Sequence, residues 1–226
     1  MSLRKIGMIT IGQSPRVDIL PEMKRVLGPQ IEVIEAGALD GLTMEEVKKF
    51  APRRGDYILC TRMADGREVT VARRWVIPRI QRCIKDLSKK GAEVLLFLCT
   101  GRFPEFPSKK LFIESQRIVD QCLSALQGRY NRMGILVPLA NQMEQVRKNY
   151  GEKEGKILFQ AASPYGPEEE LEKAIEKFRK ANLQMIVMHC MGYTLSMKKK
   201  MMEGTGRPVL LARTLVARVL RELISP

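Results

Sequence analysis

With 226 residues, 45 % of them hydrophobic, the chain is long and apolar enough to bury a sizeable core, which excludes general disorder. Its net charge of +14, from 39 basic and 25 acidic residues, is spread along stretches such as RRWVIPRIQR, SKKG and MKKKMM; no helix-turn-helix, RNP or zinc-finger signature accompanies it, so nucleic-acid binding rests on the charge alone. Five scattered cysteines without a CxxC, a single histidine, and apolar runs far short of the ~20 residues that cross a bilayer argue against a disulfide framework, a metal site and a membrane span.

The chain opens with MSLRKIGMITIGQSP. Its apolar part is short and no small-residue cleavage site follows, so KIGMITI reads as a buried first strand and the protein is expected in the cytoplasm. GQSPR is a loop, with Pro15 suited to a helix start. Val17, Leu20, Met23 and Leu27 then recur at helical spacing until Gly28-Pro29 stops the helix. IEVIEAG is the next strand. Thr43 with Glu46 three residues on predicts a capping box. DYILCTR and EVTVARR flank MADG, whose Asp65-Gly66 pair predicts a hairpin turn. A helix from Val76 to Lys89 leads into the strand AEVLLFLCTG, and a further helix covers Glu114 to Leu126.

RMGILVPLANQ then repeats the pattern of KIGMITIGQ. A helix over Gln142–Asn149, the strand KILFQAA and a helix opened by Pro167 and three glutamates follow. DLSKKGAEVLLFLCTG (86–101) aligns without gaps on KFRKANLQMIVMHCMG (177–192), cysteine on cysteine and glycine on glycine. The opening strands are offset by 127 residues and the cysteines by 91, which places extra material in the first half, with the 56–72 hairpin as the insertion. The pattern predicts an α/β protein of two pseudo-symmetric lobes, each a mostly parallel sheet flanked by helices, with an active-site cleft between them. The lobes are expected at 1–130 and 131–210.

Ligands of open α/β sheets bind beyond the carboxyl ends of the strands. Cys99 and Cys190 lie at such ends, as do the loops GQSPR and PLANQ. Two thiols facing one cleft suit proton transfer: one removes the proton α to a carboxylate and the other delivers a proton from the far face. Arg16 and Arg102 supply positive charge or bind a carboxylate. Buried cysteine is also an ordinary small hydrophobe. Cys60, Cys83 and Cys122 read that way: Cys83 and Cys122 lie on apolar helix faces, and Cys60 ends an apolar run but has no counterpart in the repeat. A regular strand would point His189 away from Cys190, as a packed histidine. Ser14 either caps a helix or contacts an anion, and Asn141 and Gln142 share that ambiguity. Tyr193 either bonds substrate or caps the strand end. GTGR at 204–207 lacks the full dinucleotide fingerprint.

KIGMITIGQSPR, CTG and HCMGY, in this order, resemble the AroM family, a likeness that covers essentially the whole chain. That family is similar in fold to the aspartate/glutamate/hydantoin racemases, whose active site lies between two lobes and whose paired cysteines work without a cofactor. The resemblance implies catalytic roles for Cys99 and Cys190. It also places Thr100 as the small polar residue after the first cysteine and Ser14 in the substrate-contacting loop. Gln13, Arg16, Gly101, Arg102, Asn141, Gly192 and Tyr193 complete the expected substrate-binding set. Met191 departs from the threonine that many racemases carry after the second cysteine, and CMG is closer to the CAG turn of hydantoin racemases. The resemblance also implies that the last helix, within 211–226, packs back on the first lobe, with Leu211, Leu215, Val219 and Leu223 on one face.

The expected activity is a cofactor-independent racemase or isomerase acting on a small carboxylate. A non-catalytic small-anion binder on the same scaffold and a nucleic-acid binder driven by charge are the alternatives. No metal and no membrane are expected as partners, and a homodimer stays open.

Overall fold

The computed structural model describes residues 4–127, 132–150 and 157–224. The expected boundary between the lobes, at 130/131, lies outside the described residues.

Two four-stranded sheets, each wholly parallel, form the frame. In one, β2 (Ile31–Gly37), β1 (Arg4–Thr10), β5 (Val94–Phe97) and β6 (Leu111–Glu114) lie in that order. In the other the order is β8 (Ile157–Ala161), β7 (Met133–Val137), β9 (Met185–Met188) and β10 (Val209–Leu211). The second order repeats the first. Gly7 pairs with Leu95 across β1 and β5, and Gly134 pairs with Ile186 across β7 and β9. The offsets of 127 and 91 residues seen in the sequence are therefore two sides of one repeated ladder register. β5 and β7 are buried at every residue because both faces of each sheet are covered, which is why they read as unbroken apolar runs.

The two matched glycines have the same use. A Cβ at Gly7 would lie 3.1 Å from Leu87 of α3 (Arg73–Lys89), and one at Gly134 would lie 2.8 Å from Phe178 of α6 (Glu168–Lys180). Each lets its covering helix press directly on the sheet.

Successive side chains of β1 part to opposite faces. Met8 joins a central core with Leu96, Ile135 and Val187, built from the facing surfaces of both sheets. Ile9 joins an outer core beneath α3, with Leu95 and Ile84. Leu136 and Ile186 form the matching outer core beneath α6. The central core is completed by α8 (Ala212–Ile224), which packs on α1 (Leu20–Leu27) and α4 (Ser115–Gln127) of the first half. Its buried stripe is Ala212, Val216, Leu220 and Ile224. This corrects the expected face. Leu211 belongs to β10, Leu215 and Val219 flank the stripe, and Leu223 is exposed. Alanines at 212 and 217 let the helix sit close to its neighbours, which the larger leucines would not.

Three local features bear on the site. The expected capping box forms at α2 (Met44–Lys48): the Glu46 amide donates to Thr43 Oγ1 and the Thr43 amide donates to a Glu46 carboxylate oxygen. β3 (Ile58–Arg62) and β4 (Glu68–Ala72) pair antiparallel as a hairpin, with Gly66 at φ +95° in its turn. α1 begins at Leu20, later than expected, and Val17 is exposed. The segment before it is a turn in which the Ile19 and Leu20 amides donate to the Arg16 carbonyl. Among the described residues no helix is long and apolar enough to cross a membrane.

Candidate active site

β5 ends at Phe97 and β9 at Met188, so Cys99 and Cys190 each stand two residues past a central strand of their sheet. The two turns have the same geometry. Cys99 Sγ accepts a hydrogen bond from the Gly101 amide and Cys190 Sγ accepts one from the Gly192 amide, both at 3.3 Å. Both thiols line one cavity of about 50 Å³ beyond the carboxyl ends of the strands of both halves. At roughly 10–15 Å³ per water, it has room for about three to five water-sized groups.

Burial pushes the Cys99 thiol up to about 12, the Gly101 amide and the Arg16 charge only partly opposing it. Burial also raises Cys190, against the Gly192 amide, Arg16 and Arg213. Both thiols therefore hold their protons at neutral pH.

Arg16 is the cation of the cavity wall and is only 3 % exposed. Its Nε and Nη2 donate to the two carboxylate oxygens of Asp18 at 2.8 and 2.7 Å. Nη1 donates to Thr10 Oγ1 at 2.7 Å, and Nη2 also donates to Tyr165 Oη at 2.8 Å. Burial disfavours the Arg16 charge, but Asp18 and Tyr165 more than compensate and its pKa rises. Burial likewise works against the Asp18 charge, and Arg16 overcomes it and lowers its pKa. Arg62 Nη1 stands 4.0 Å from Asp18 Oδ1, so two guanidinium groups share this carboxylate.

The β3–β4 hairpin closes the cavity and contributes Leu59, Cys60 and Thr61 to its wall. The second half holds the hairpin in place. The Ile58 amide donates to Gln145 Oε1 at 2.8 Å, and the Gln142 and Gln145 side chains donate to the Ile58 carbonyl at 3.0 and 3.1 Å. Cys60, which the sequence offered as a core residue, is thus a third thiol in the wall. His189 borders the cavity beside Cys190, just past the end of β9, and its side chain is packed as expected, buried with its ring edge to face with Tyr150 at 6.1 Å between centroids. Its Nε2 is buried without a hydrogen-bond partner, 3.7 Å from Asp120 Oδ1. Thr61 Oγ1 is likewise buried and unpartnered.

Of the expected substrate-binding set, Arg16, Thr100, Gly101 and Gly192 line the cavity. Thr100 Oγ1 donates to the His189 carbonyl at 3.2 Å and ties the two cysteine turns together. The others have different work. Ser14 donates through its amide and hydroxyl to Asp40, at 2.7 and 2.6 Å, and caps no helix. Gln13 bonds the Leu39 and Leu42 carbonyls and the Ala64 amide, fastening the hairpin turn to the neighbouring loop. Arg102 is exposed and pairs with Asp120. Asn141 is exposed on a 3₁₀ turn, Ala140–Gln142, and the neighbouring Gln142 is the one that reaches the cavity. Tyr193 is fully buried in the core beneath α6, its hydroxyl donating to the Ala162 carbonyl at 2.8 Å.

Two residues that sequence reasoning passed over matter most. Tyr165 comes from the SPYGP loop after β8, and its place beyond a strand end was the available signal. Arg213 is fully buried, and its guanidinium donates to the carbonyls of Met191, Gly192 and Asp18 and to Glu22 Oε2, at 2.8–2.9 Å. An arginine on the apolar stripe of LARTLVARVLREL was the signal for it. Among the described residues no group of three or more His, Cys, Asp or Glu side chains is arranged to hold a metal ion.

The sequence model of a family described as AroM protein matches residues 6–224. No curated protein matches the chain. Solved structures do. An aspartate racemase of Picrophilus torridus superposes with a TM-score of 0.65 at 11 % identity, covering 97 % of this chain and 94 % of its own. A maleate cis-trans isomerase of Nocardia farcinica, a variant with a covalently bound succinylcysteine intermediate, gives 0.60 at 18 % identity, over 97 % and 92 %. An unliganded arylmalonate decarboxylase gives 0.58 at 15 % identity, over 99 % and 93 %. The two-lobed α/β fold described above is the fold of these racemases, isomerases and decarboxylases.

Proposed function

This chain belongs to the AroM family, and from that footing we propose that it is a racemase or isomerase moving a proton between Cys99, Cys190 and a small carboxylate-type substrate, without a cofactor. One observation carries the reading: two cysteines at equivalent ends of equivalent strands, each bonded by the amide two residues on, line a single cavity that also holds a buried arginine. One thiolate takes the α-proton and leaves the electron pair delocalised into the carboxylate. The opposite thiol then gives its proton to the other face of the carbon. Thiol and thiolate have exchanged roles, the configuration is inverted, and atoms and charge balance. Arg16, anchored by Asp18 and Tyr165, orients the carboxylate through an N–H those partners leave free.

The test is α-proton exchange into heavy water, followed by proton NMR over a panel of small carboxylic acids. Exchange that falls by orders of magnitude in both Cys99→Ser and Cys190→Ser supports the reading. Exchange at the wild-type rate in both variants, or none with any acid, ends it.

A second reading, an anion-binding protein without turnover, is favoured by one fact: burial raises both thiols, so neither stands ready as a base before a ligand arrives. Saturable binding of an acid that leaves both thiols slow to alkylate, with no exchange, would select it.

A further inference from the structure

We propose that the outer face of α3 binds single-stranded nucleic acid. None of the residues of this helix lines the cavity, so the inference stands apart from the proposed function.

The repeat supplies an internal comparison. α3 and α6 occupy matching places, each covering the outer face of its sheet ahead of the strand that leads to a cysteine. α6 carries four basic and five acidic residues, the mixed signs of an ordinary solvated face. α3 carries six basic residues and one acidic. The fold does not call for positive charge at this place, and a helix of nearly one sign works against its own repulsion.

Four of those cations form a row. At ~100° per residue, the exposed Arg74, Arg82, Lys85 and Lys89 fall within one arc of about 80°, and they span about 22 Å along the axis. The buried Val76, Ile80, Cys83 and Leu87 lie on the opposite side. Arg79 is turned aside, donating to the Ala38 and Asp40 carbonyls. More cations flank the row. The Ala72 amide donates to the Phe50 carbonyl at 2.8 Å, which sets the exposed Arg53 and Arg54 by the N-terminal end of α3. Gln81 Nε2 donates to the Pro107 carbonyl at 3.0 Å and brings the loop of exposed Lys109 and Lys110 alongside. Of the acids nearby, Asp56 is engaged by Arg74 and Glu105 by Arg117, which leaves Asp86 as the counter-charge on α3 itself.

Such a row fits a polyanion, and its length follows several phosphates of an extended strand. Trp75 decides which polyanion. It is the one tryptophan of the chain and is 40 % exposed at the edge of the row. Phe50 stacks on it at 5.7 Å, and the Arg74 guanidinium lies 5.2 Å from its ring centroid. An exposed aromatic ring among cations is what unpaired bases stack on. A duplex keeps its bases stacked on one another and has no use for it. A membrane surface would want further large apolar side chains, and α3 exposes no other.

Oligouridine and oligothymidine strands of about twelve nucleotides test this, by fluorescence anisotropy of labelled strands across a salt series and by Trp75 emission with unlabelled ones. The expected result is micromolar binding at about 50 mM salt, with a log–log salt slope of about −2 to −3 from three or four phosphate contacts. Trp75 emission should be quenched on binding, and the two strands tell RNA from DNA. Arg82→Glu, Lys85→Glu and Lys89→Glu together should weaken binding about ten-fold or more. Lys173→Glu, Lys177→Glu and Arg179→Glu on α6 make an equal change in net charge and should weaken it far less; circular dichroism checks that both triple variants keep the fold. No binding of either wild-type strand at low salt, unchanged Trp75 emission in the complex, or equal losses in the two triple variants overturns the proposal. So does tighter binding, at the same salt, of a duplex, a polyglutamate peptide or phosphatidylserine vesicles.

Discussion

Replacing Arg213 by methionine keeps the bulk of the side chain and removes its five donors. In the native protein those donors satisfy the carbonyls of Met191 and Gly192, both in buried bonds at 2.9 Å, and of Asp18 at 2.9 Å, and they pair with Glu22 at 2.8 Å. Each carbonyl left unsatisfied costs roughly 1 kcal/mol or more. Glu22 is partly exposed and recovers much of its hydration, so its loss adds less. The total comes to about 3–5 kcal/mol, in the range found when one partner of a buried ion pair is removed. Against a net stability of about 5–15 kcal/mol for a domain, that is a large part of the whole. Equilibrium unfolding in urea measures it as a lower midpoint at unchanged slope. A local signature goes with it. Arg213 grips the Met191–Gly192 turn that presents Cys190, so iodoacetamide labelling of Cys190 should change several-fold more than that of Cys99. A loss below about 1 kcal/mol, or equal changes at the two cysteines, would refute the reasoning that this arginine is the clamp on one turn.

Gly192→Ala should cost about 1–3 kcal/mol by overpacking and displace Tyr165, because its Cβ would fall 2.6 Å from Tyr165 Oη and 2.7 Å from Pro164 Cγ; an unshifted urea midpoint would contradict it. Folding raises the Cys99 pKa from an ordinary value near ~8.5 to about 12, so between those values the folded chain keeps a proton that the unfolded chain has lost. Stability is therefore expected to fall as pH climbs through that window, by a little over ~1 kcal/mol per pH unit for this thiol, and a Cys99→Ala variant with an undiminished alkaline slope would rule it out. Gln145→Ala removes two bonds to Ile58 and should loosen the hairpin, seen as faster alkylation of Cys60 by mass spectrometry; an unchanged rate would mean the hairpin is held by other contacts.

The strands were legible because both faces of each central strand are covered, so burial itself writes an unbroken apolar run into the chain. The repeat was legible for the same reason: one ladder register built twice leaves the same spacing twice, and with it the matched placement of Cys99 and Cys190. The walls between them were harder to read. Ile58 meets Gln145 across 87 residues, and no local pattern announces such a contact. Ser14 and Gln13 look like ligand contacts from their position in the loop, yet Asp40 and the Leu39 and Leu42 carbonyls claim them first. Arg213 was hidden by a helix whose apolar period accounts for everything around it.

The packing of α8 on α1 and α4 also sets the order in which the molecule can be completed. This helix leaves the ribosome after every other described element, yet it closes a core begun by β1 near the opposite end of the chain. The first sheet can pair as soon as β6 is made, but the core on its inner face is not complete until nearly a hundred further residues have followed. During that interval the part of the central core that α8 covers is an open apolar surface, the kind that holding chaperones bind. A nascent chain stalled just before Ala212 should therefore remain protease-sensitive in its first half as well as its second.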